Sequence, residues 1–301
     1  MDRVSLRVPA TSANLGPGFD SFGCAFALYN TYTFELSGTE LRITGCDKRW
    51  RNPRNLAIVA YRLAMKAMGL PMERGICMHI DAQIPVCRGL GSSSAMIIGG
   101  VLAANLLHGS PLSNEEVLAL CTELEGHPDN LAPAIYGGMT ASLMHEGRPV
   151  TARFPLSNRL RFIALIPDFT LSTQRARAAL PKQVPFADAV FNVSHAALLL
   201  RALETADLPM ISLALDDRLH QPYRKELVAG YDAAREAALG CGCAAFCLSG
   251  AGPTCLCIAG DDSAAQKLAQ KLPEVCPQWR VLQLEVDTQG ACSVPAHGRQ
   301  A

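Results

Sequence analysis

The segment Pro85-Val86-Cys87-Arg88-Gly89-Leu90-Gly91-Ser92-Ser93-Ser94-Ala95 sets two glycines and three consecutive hydroxyls between unlike neighbours. Upstream, 76–84 reads as a strand; downstream, 95–107 is apolar almost throughout and rich in Ala and Leu, as a buried helix is. The segment is therefore a strand-to-helix turn. Gly89 and Gly91 permit positive φ and let the backbone come close to a ligand. The serines fall at the helix start, where unpaired N–H groups and the positive end of the dipole face outward. Such a place suits a phosphate chain, and its hydroxyls can cap the helix, bond phosphate or ligate Mg²⁺. Spacing alone leaves an ordinary capped helix with a glycine turn equally open. A dinucleotide fingerprint fails because the third glycine is missing, and a Walker P-loop fails because no Gly-Lys-Ser/Thr occurs in the chain.

Three other stretches carry groups that could do chemistry. Pro9 to Gly23 reads as a loop, with two prolines, three glycines and several hydroxyl, amide and carboxylate groups; a surface turn and a ligand loop are both open. Glu125-Gly126-His127-Pro128-Asp129-Asn130 gathers two carboxylates, an imidazole and an amide where a helix breaks. By itself that is a polar loop; beside a phosphate site it becomes a source of the one or two carboxylates that Mg²⁺ prefers. Ser172 to Pro181 reads as a capped helix with basic residues, for which a solvated face is the bland account.

The elements that must position these groups are legible in part. Val4, Leu6 and Val8 alternate with polar residues in an opening strand. Strands are expected at 29–37, 40–45, 160–166, 243–248, 255–259 and 279–287. Asn55 to Met68 is an amphipathic helix closed by Gly69 and Pro71, and Ser113-x-x-Glu116 is a capping box opening a helix that runs to about Glu125. A helix is expected near 262–272 and a mobile tail from Gly290. Prolines and glycines between 147 and 155 place a domain boundary there, giving 1–155 and 156–301.

Composition bounds the function. At 301 residues, with 49% hydrophobic and 18% charged, the chain is globular and large enough for one large or two ordinary domains. Zero formal net charge argues against a nucleic-acid-binding surface, so any anion must be recognised locally. No secretory signal precedes the first strand, so the twelve cysteines are expected to stay reduced in a cytoplasm. Cys241, Cys243, Cys247, Cys255 and Cys257 fit no common zinc spacing and read as buried small hydrophobes. The longest apolar stretch, near 95–107, is too short for a bilayer, so no membrane association is expected.

Pro-x-x-x-Gly-Leu-Gly-Ser-Ser-Ser-Ala resembles the glycine-rich loop of the small-molecule kinases that include galactokinase, homoserine kinase and mevalonate kinase; Cys87 stands where a smaller residue is usual. Pro9-Ala-Thr-Ser-Ala-Asn-Leu-Gly-Pro-Gly-Phe-Asp20 resembles the N-terminal signature of the homoserine kinases in particular. Glu125-Gly-His-Pro-Asp-Asn130, Ser172-Thr-x-x-Ala-Arg-x-x-Leu-Pro181 and Asp217-Arg-Leu-His-Gln-Pro-Tyr-Arg224 are similar to further segments of that family. Leu248 to Thr254 resembles the third motif of the superfamily.

The resemblance implies an α+β fold of two domains, the first like ribosomal protein S5 and the second ferredoxin-like, with ATP on the 85–95 loop. It implies that Asn14, Asp20 and Asn130 line the amino-acid site, that Arg177 and Arg224 meet the substrate carboxylate, and that Thr11 and Thr173 lie beside the transfer centre. Glu125 would hold Mg²⁺ with a loop serine, taken as Ser93. Asn55 would lie near the adenine, a simple N-cap being equally open. His127 is expected to be structural, and Asn192 carries no assigned role. The implied reaction is ATP-dependent phosphorylation of L-homoserine by a homodimer. A kinase for another small alcohol such as mevalonate and a non-catalytic nucleotide sensor are the alternatives. With no lysine within these motifs, no side-chain base is expected.

Overall fold

The structure is a computed structural model that describes residues 2–71 and 75–295. Its first sheet has seven strands: β1 (Arg3–Ala13), β2 (Phe22–Leu36), β3 (Leu41–Thr44), β4 (Ile76–Ala82), β5 (Met139–His145), β6 (Arg148–Phe154) and β11 (Cys292–Val294). The order is β11-β1-β2-β4-β3, with β5 pairing the far end of β2 and β6 pairing β5. Every pair is antiparallel except β3 and β4, whose parallel register follows from the helical crossover α1 (Leu56–Ala67) between them. Helices α2 (Ser92–Leu107), α3 (Asn114–Glu125) and α4 (Leu131–Tyr136) complete this half. The capping box at Ser113 and Glu116 forms as expected, with both reciprocal bonds present.

The second sheet is built from β7 (Arg161–Ile166), β8 (Ala245–Leu248), β9 (Cys255–Ala259) and β10 (Arg280–Leu284), in the order β10-β7-β9-β8 and antiparallel throughout. Between β7 and β8 run α5 (Thr173–Ala178), α6 (Phe186–Thr205), α7 (Leu208–Ala214), α8 (Gln221–Arg224) and α9 (Tyr231–Gly240); α10 (Ser263–Val275) joins β9 to β10. Strand order and helix placement are those of a ferredoxin-like domain. Phe162, Ala164, Ile166, Leu256 and Ile258 face one core, and Ile163, Leu165, Cys255, Cys257 and Leu248 face another under α9 and α10. Both faces of β7, β8 and β9 are buried, which is why these strands read as apolar runs and why Cys243, Cys247, Cys255 and Cys257 are interior residues, while Cys241, expected among them, is half-buried. The first core is continuous between the halves: Phe26 of β2 meets the Phe162 ring at 5.3 Å.

Three expectations are corrected. The loop at Pro9–Gly23 is shorter than its composition implies, because β1 continues through Pro9 to Ala13 and β2 begins at Phe22. Pro9 is tolerated in the strand because the β1–β2 register shifts between Pro9 and Ala10. The tail after Gly290 is ordered as far as the description extends: β11 pairs with β1, and Asp287 Oδ1 accepts from the Gln289 amide at 3.0 Å and from Gly290 N–H. The rest of that tail, 296–301, lies outside the described residues. Finally, among the described residues the longest apolar helix is α6, whose 20 residues are long and apolar enough to cross a bilayer by length and composition. It is nonetheless tied to the protein body by buried Asn192 and by an Asp188–Arg218 ion pair at 3.2 Å.

Candidate active site

The 83–91 turn delivers the chain from β4 into α2 with Cys87, Gly89 and Gly91 at positive φ. The glycines are required by their neighbours. A Cβ on Gly89 would strike the Ser249 carbonyl, and one on Gly91 would strike the Thr11 hydroxyl. Those clashes locate the other motifs. Thr11 N–H donates to Leu90 O at 3.2 Å, Leu171 N–H to Cys87 O at 3.1 Å, and Ser249 Oγ to Gly89 O at 2.6 Å. Gly250 N–H in turn donates to Ala13 O at 3.0 Å, and Asn14 Nδ2 to Gly250 O at 2.8 Å. Three stretches separated by tens to hundreds of residues thus share one backbone network around the glycine turn.

Gly91 is the N-cap of α2 and offers no side-chain cap, so the first-turn N–H groups point outward unclaimed by a cap. Ser93 Oγ donates to Glu125 Oε2 at 2.8 Å and Ser94 Oγ to Oε1 at 3.1 Å, while Ser92 Oγ accepts from Cys87 N–H at 3.3 Å. Glu125 is the last residue of α3, held there by Gly126 in the left-handed C-cap conformation. One carboxylate and two hydroxyls beside an open helix end are hard oxygen donors of the kind Mg²⁺ takes. Among the described residues no group of three or more His, Cys, Asp or Glu could hold a metal, so an ion here would take further ligands from phosphate and water.

The same cleft also gathers carboxylate, amide and guanidinium side chains. Asn14 and Asp20 both have positive φ, and Asp20 N–H donates to Asn14 Oδ1 at 2.9 Å. The Asp20 carboxylate takes two parallel bonds from Arg177, each 2.9 Å. That hydrogen bond, outweighing partial desolvation, raises the Arg177 pKa. Arg224 is 2% exposed and bonds only carbonyls, Ala176 O and Gly250 O, both at 3.3 Å. Burial, then the neighbouring Arg177 charge, lowers its pKa. A buried guanidinium without a carboxylate of its own, lining a cleft, is poised for an anion. Thr11 Oγ1 donates to Asn130 Oδ1 at 2.8 Å, and Asp129 Oδ1 accepts from His127 Nδ1 at 2.6 Å and Asn130 N–H at 2.9 Å.

One cleft is lined by Asn14, Asp20, Cys87, Gly89, Gly91, Ser92, Ser93, Ser94, Glu125, Asn130, Thr173, Arg177 and Arg224, all anticipated from sequence. Others anticipated lie elsewhere. Leu90 and Ala95 are core residues that pin the turn, and Pro85 and the exposed Val86 lie off the cleft wall. Arg88 reaches across to the Asp168 carbonyl. Thr11 is buried behind Gly91, where it orients Asn130. Asn55 is fully buried as the N-cap of α1, accepting from Ala57 N–H at 3.0 Å and donating to Trp50 O at 3.0 Å, so its amide is committed locally. His127, expected to be structural, lines the cleft, as does Asp129. Their place in the same polar break as Glu125 and Asn130 was the available signal.

Comparison with known proteins agrees with this geometry. The profiles described as the GHMP kinases N terminal domain and the GHMP kinases C terminal match residues 55–138 and 199–278. A homoserine kinase of Clostridium botulinum (strain Alaska E43 / Type E3) is 39% identical over 290 residues, 96% of this chain and 97% of that protein. The crystal structure of a homoserine kinase from Cytophaga hutchinsonii superposes with a TM-score of 0.88 at 28% identity, covering 98% of each chain. An L. major mevalonate kinase shares the fold alone, with a TM-score of 0.75 at 15% identity over 94% of this chain and 96% of that one.

Proposed function

The chain belongs to the homoserine kinases within the GHMP kinases, and from that membership we propose how its cleft carries out the reaction of the family. The enzyme transfers the γ-phosphoryl group of ATP to the side-chain hydroxyl of L-homoserine, giving O-phospho-L-homoserine in threonine biosynthesis. The observation that carries the assignment of roles is the meeting of a bidentate Asp20–Arg177 pair and buried Arg224 with the Ser93–Glu125 pair in one cleft.

Asp20 and Arg177 satisfy each other when the site holds no zwitterion. An amino acid presents the same two charges: its ammonium takes the place of the Arg177 guanidinium at Asp20, and its carboxylate takes the place of Asp20 at Arg177 while also meeting Arg224. Asn14 and Asn130 fix the remaining polar atoms, and Thr173, the first residue of α5, borders the same space. Loop amides of 85–95 and the α2 N-terminus hold the triphosphate. Ser93 and Glu125 would hold Mg²⁺, whose charge offsets that developing on the phosphoryl oxygens. The homoserine hydroxyl oxygen bonds to the γ-phosphorus as the β–γ bridging bond breaks, ADP leaves, and the hydroxyl proton passes to a phosphoryl oxygen. Among the cleft-lining residues there is no lysine, Asp20 is engaged by Arg177 or by the ammonium that replaces it, and His127 is engaged by Asp129, which supports transfer without a side-chain base.

We divide the chain at 155/156, with β11 returned to the first domain. We place the enzyme in the cytoplasm as a homodimer, apart from nucleic acid and membrane. Free cysteines among all the described ones suit a reducing compartment, and the outward face of α6, with Phe186 84% and Val193 73% exposed, offers apolar surface for a second copy. The test is a coupled ADP-release assay with MgATP and L-homoserine, mevalonate, L-serine or galactose. Turnover with homoserine alone is expected. Turnover only with another alcohol would discard the roles of Asp20, Arg177 and Arg224 while keeping the ATP side.

A further inference from the structure

The loop from Asn14 to Asp20 carries two substrate-side groups on strained backbone: Asn14, Leu15 and Asp20 are non-glycine residues at φ of 69°, 43° and 53°. Something must hold it, and the holding groups come from a segment to which the reaction assigns only Arg224. His220 is fully buried, and its Nε2 lies 2.8 Å from Gly16 O, so Nε2 carries the proton and donates. Its ring stacks on Phe19 at 5.3 Å and 29°. The same loop residue is also closed in by Leu215, the C-cap of α7, since a Cβ on Gly16 would strike the Leu215 carbonyl. Phe19 in turn lies beneath both carboxylate-binding guanidiniums, Arg224 at 5.1 Å and Arg177 at 5.7 Å.

His220 is itself fixed. Asp217, 3% exposed, accepts from His220 N–H at 2.9 Å and Gln221 N–H at 2.6 Å through Oδ2, and from Leu219 N–H at 3.0 Å and Asn192 Nδ2 at 2.7 Å through Oδ1. Asn192 Nδ2 also reaches Pro17 O at 3.2 Å, a second grip on the loop. Gln221 Oε1 accepts from Leu248 N–H at 2.8 Å, which ties the bracket to the 248–254 turn that packs on the glycine loop. His220 Nδ1 is buried without a hydrogen-bond partner among the described residues. A group that leaves one ring nitrogen unsatisfied and spends the other on a loop carbonyl is placed for that carbonyl.

We propose that His220, oriented by Asp217, is a positioning residue that sets the amino-acid site by holding the 14–20 loop through Gly16 O and Phe19. It touches neither substrate. The proposal rests on the homoserine kinase assignment for its kinetic consequence, and on the loop alone for its structural one.

The experiment separates the bond from the stack. His220→Phe keeps a ring against Phe19 and removes the donor; His220→Gln keeps a donor in reach of Gly16 O. With full-length protein, His220→Phe is expected to raise KM for L-homoserine at least 10-fold while KM for MgATP stays within twofold, and His220→Gln to recover most of the loss. Phe19→Leu, at a partly exposed site, is expected to raise the same KM several-fold, and it decides the matter if His220→Phe does not fold. Equal losses toward homoserine and ATP, or an unchanged homoserine KM in Phe19→Leu, would overturn the proposal. Hydrogen–deuterium exchange over residues 13–22 reads the bracket without substrate, and faster exchange is expected in His220→Phe than in wild type, or in Phe19→Leu where His220→Phe does not fold. If wild type fails to turn over homoserine yet the variant's exchange accelerates, the bracket stands and the substrate assignment falls. Unchanged exchange overturns the bracket whatever the substrate.

Discussion

The two halves of the cleft are built on different principles. In the proposed assignment the phosphate half is one contiguous turn and one helix end, completed by a single carboxylate, Glu125, from the end of α3; its other working groups are backbone amides, glycines and short hydroxyls whose places follow from local chain geometry. The proposed amino-acid half is assembled from Asn14, Asp20, Asn130, Arg177 and Arg224, which line the same cleft from positions scattered over most of the chain, and its working groups are charged or amide side chains. In the proposed reaction the first half neutralises charge that changes as the phosphoryl group transfers; the second recognises charge that does not. A lesion in the first should therefore fall on kcat and one in the second on the KM for homoserine.

The sharpest break of that contrast would come at Glu125. Glu125→Ala removes the carboxylate that receives both Ser93 and Ser94. A loss of about 10³-fold in kcat is expected, the scale of removing one preorganised electrostatic group, with little change in KM for homoserine. Steady-state ADP release with each substrate varied in turn checks it. A Glu125→Ala enzyme that lost only homoserine affinity would merge the two halves.

Arg224→Met tests the other half and gives the next largest effect. Losing a charge-assisted contact of ~1.5–3 kcal/mol corresponds to roughly 10–150-fold in KM for homoserine. Burial lowers the Arg224 pKa, so in the free enzyme the guanidinium is desolvated without a carboxylate of its own. Replacing it with an apolar chain of similar length is therefore expected to leave thermal stability unchanged or raised, as buried charges exchanged for apolar groups often do. A Tm that falls along with the affinity would show that Arg224 serves the fold first. Asp20→Asn should be smaller, about 10-fold in KM, because the amide still accepts one bond from the ammonium and the site is partly exposed. If instead kcat collapsed with homoserine binding intact, Asp20 would be acting as a base.

This contrast also explains what the sequence reveals. The capping box at Ser113, the β4-to-α2 turn and the ferredoxin-like strands are legible because short-range chemistry determines them. Resemblance to a family located Asp20 and Arg177, yet nothing within either segment implies that they bind each other across 157 positions. Likewise β11 is three residues whose strand exists only because β1 offers an edge, so composition alone reads it as a tail. Pro9 to Ala13 looks like loop because of proline and hydroxyls, but those hydroxyls serve contacts made by folding: Thr11 with Asn130, Ser12 with Ser249.

His127 lies where the halves meet, and its effect should be the smallest. Desolvation acts to lower its pKa, but the 2.6 Å bond to Asp129, with the charges of Asp129 and Glu125, outweighs it and leaves the pKa raised. A base whose pKa is higher in the folded state than the ordinary value of about 6.5 adds stability that is fully present below that value. The contribution is lost as pH rises through the folded pKa. Wild-type stability should therefore decline from about pH 6 upward more steeply than that of His127→Gln, the two curves converging at alkaline pH after allowance for a constant offset. Denaturant unfolding at a series of pH values checks the slope. Parallel curves would mean that the imidazole is neutral throughout and that Asp129 serves Asn130 alone, which would assign this corner of the cleft to the amino-acid half.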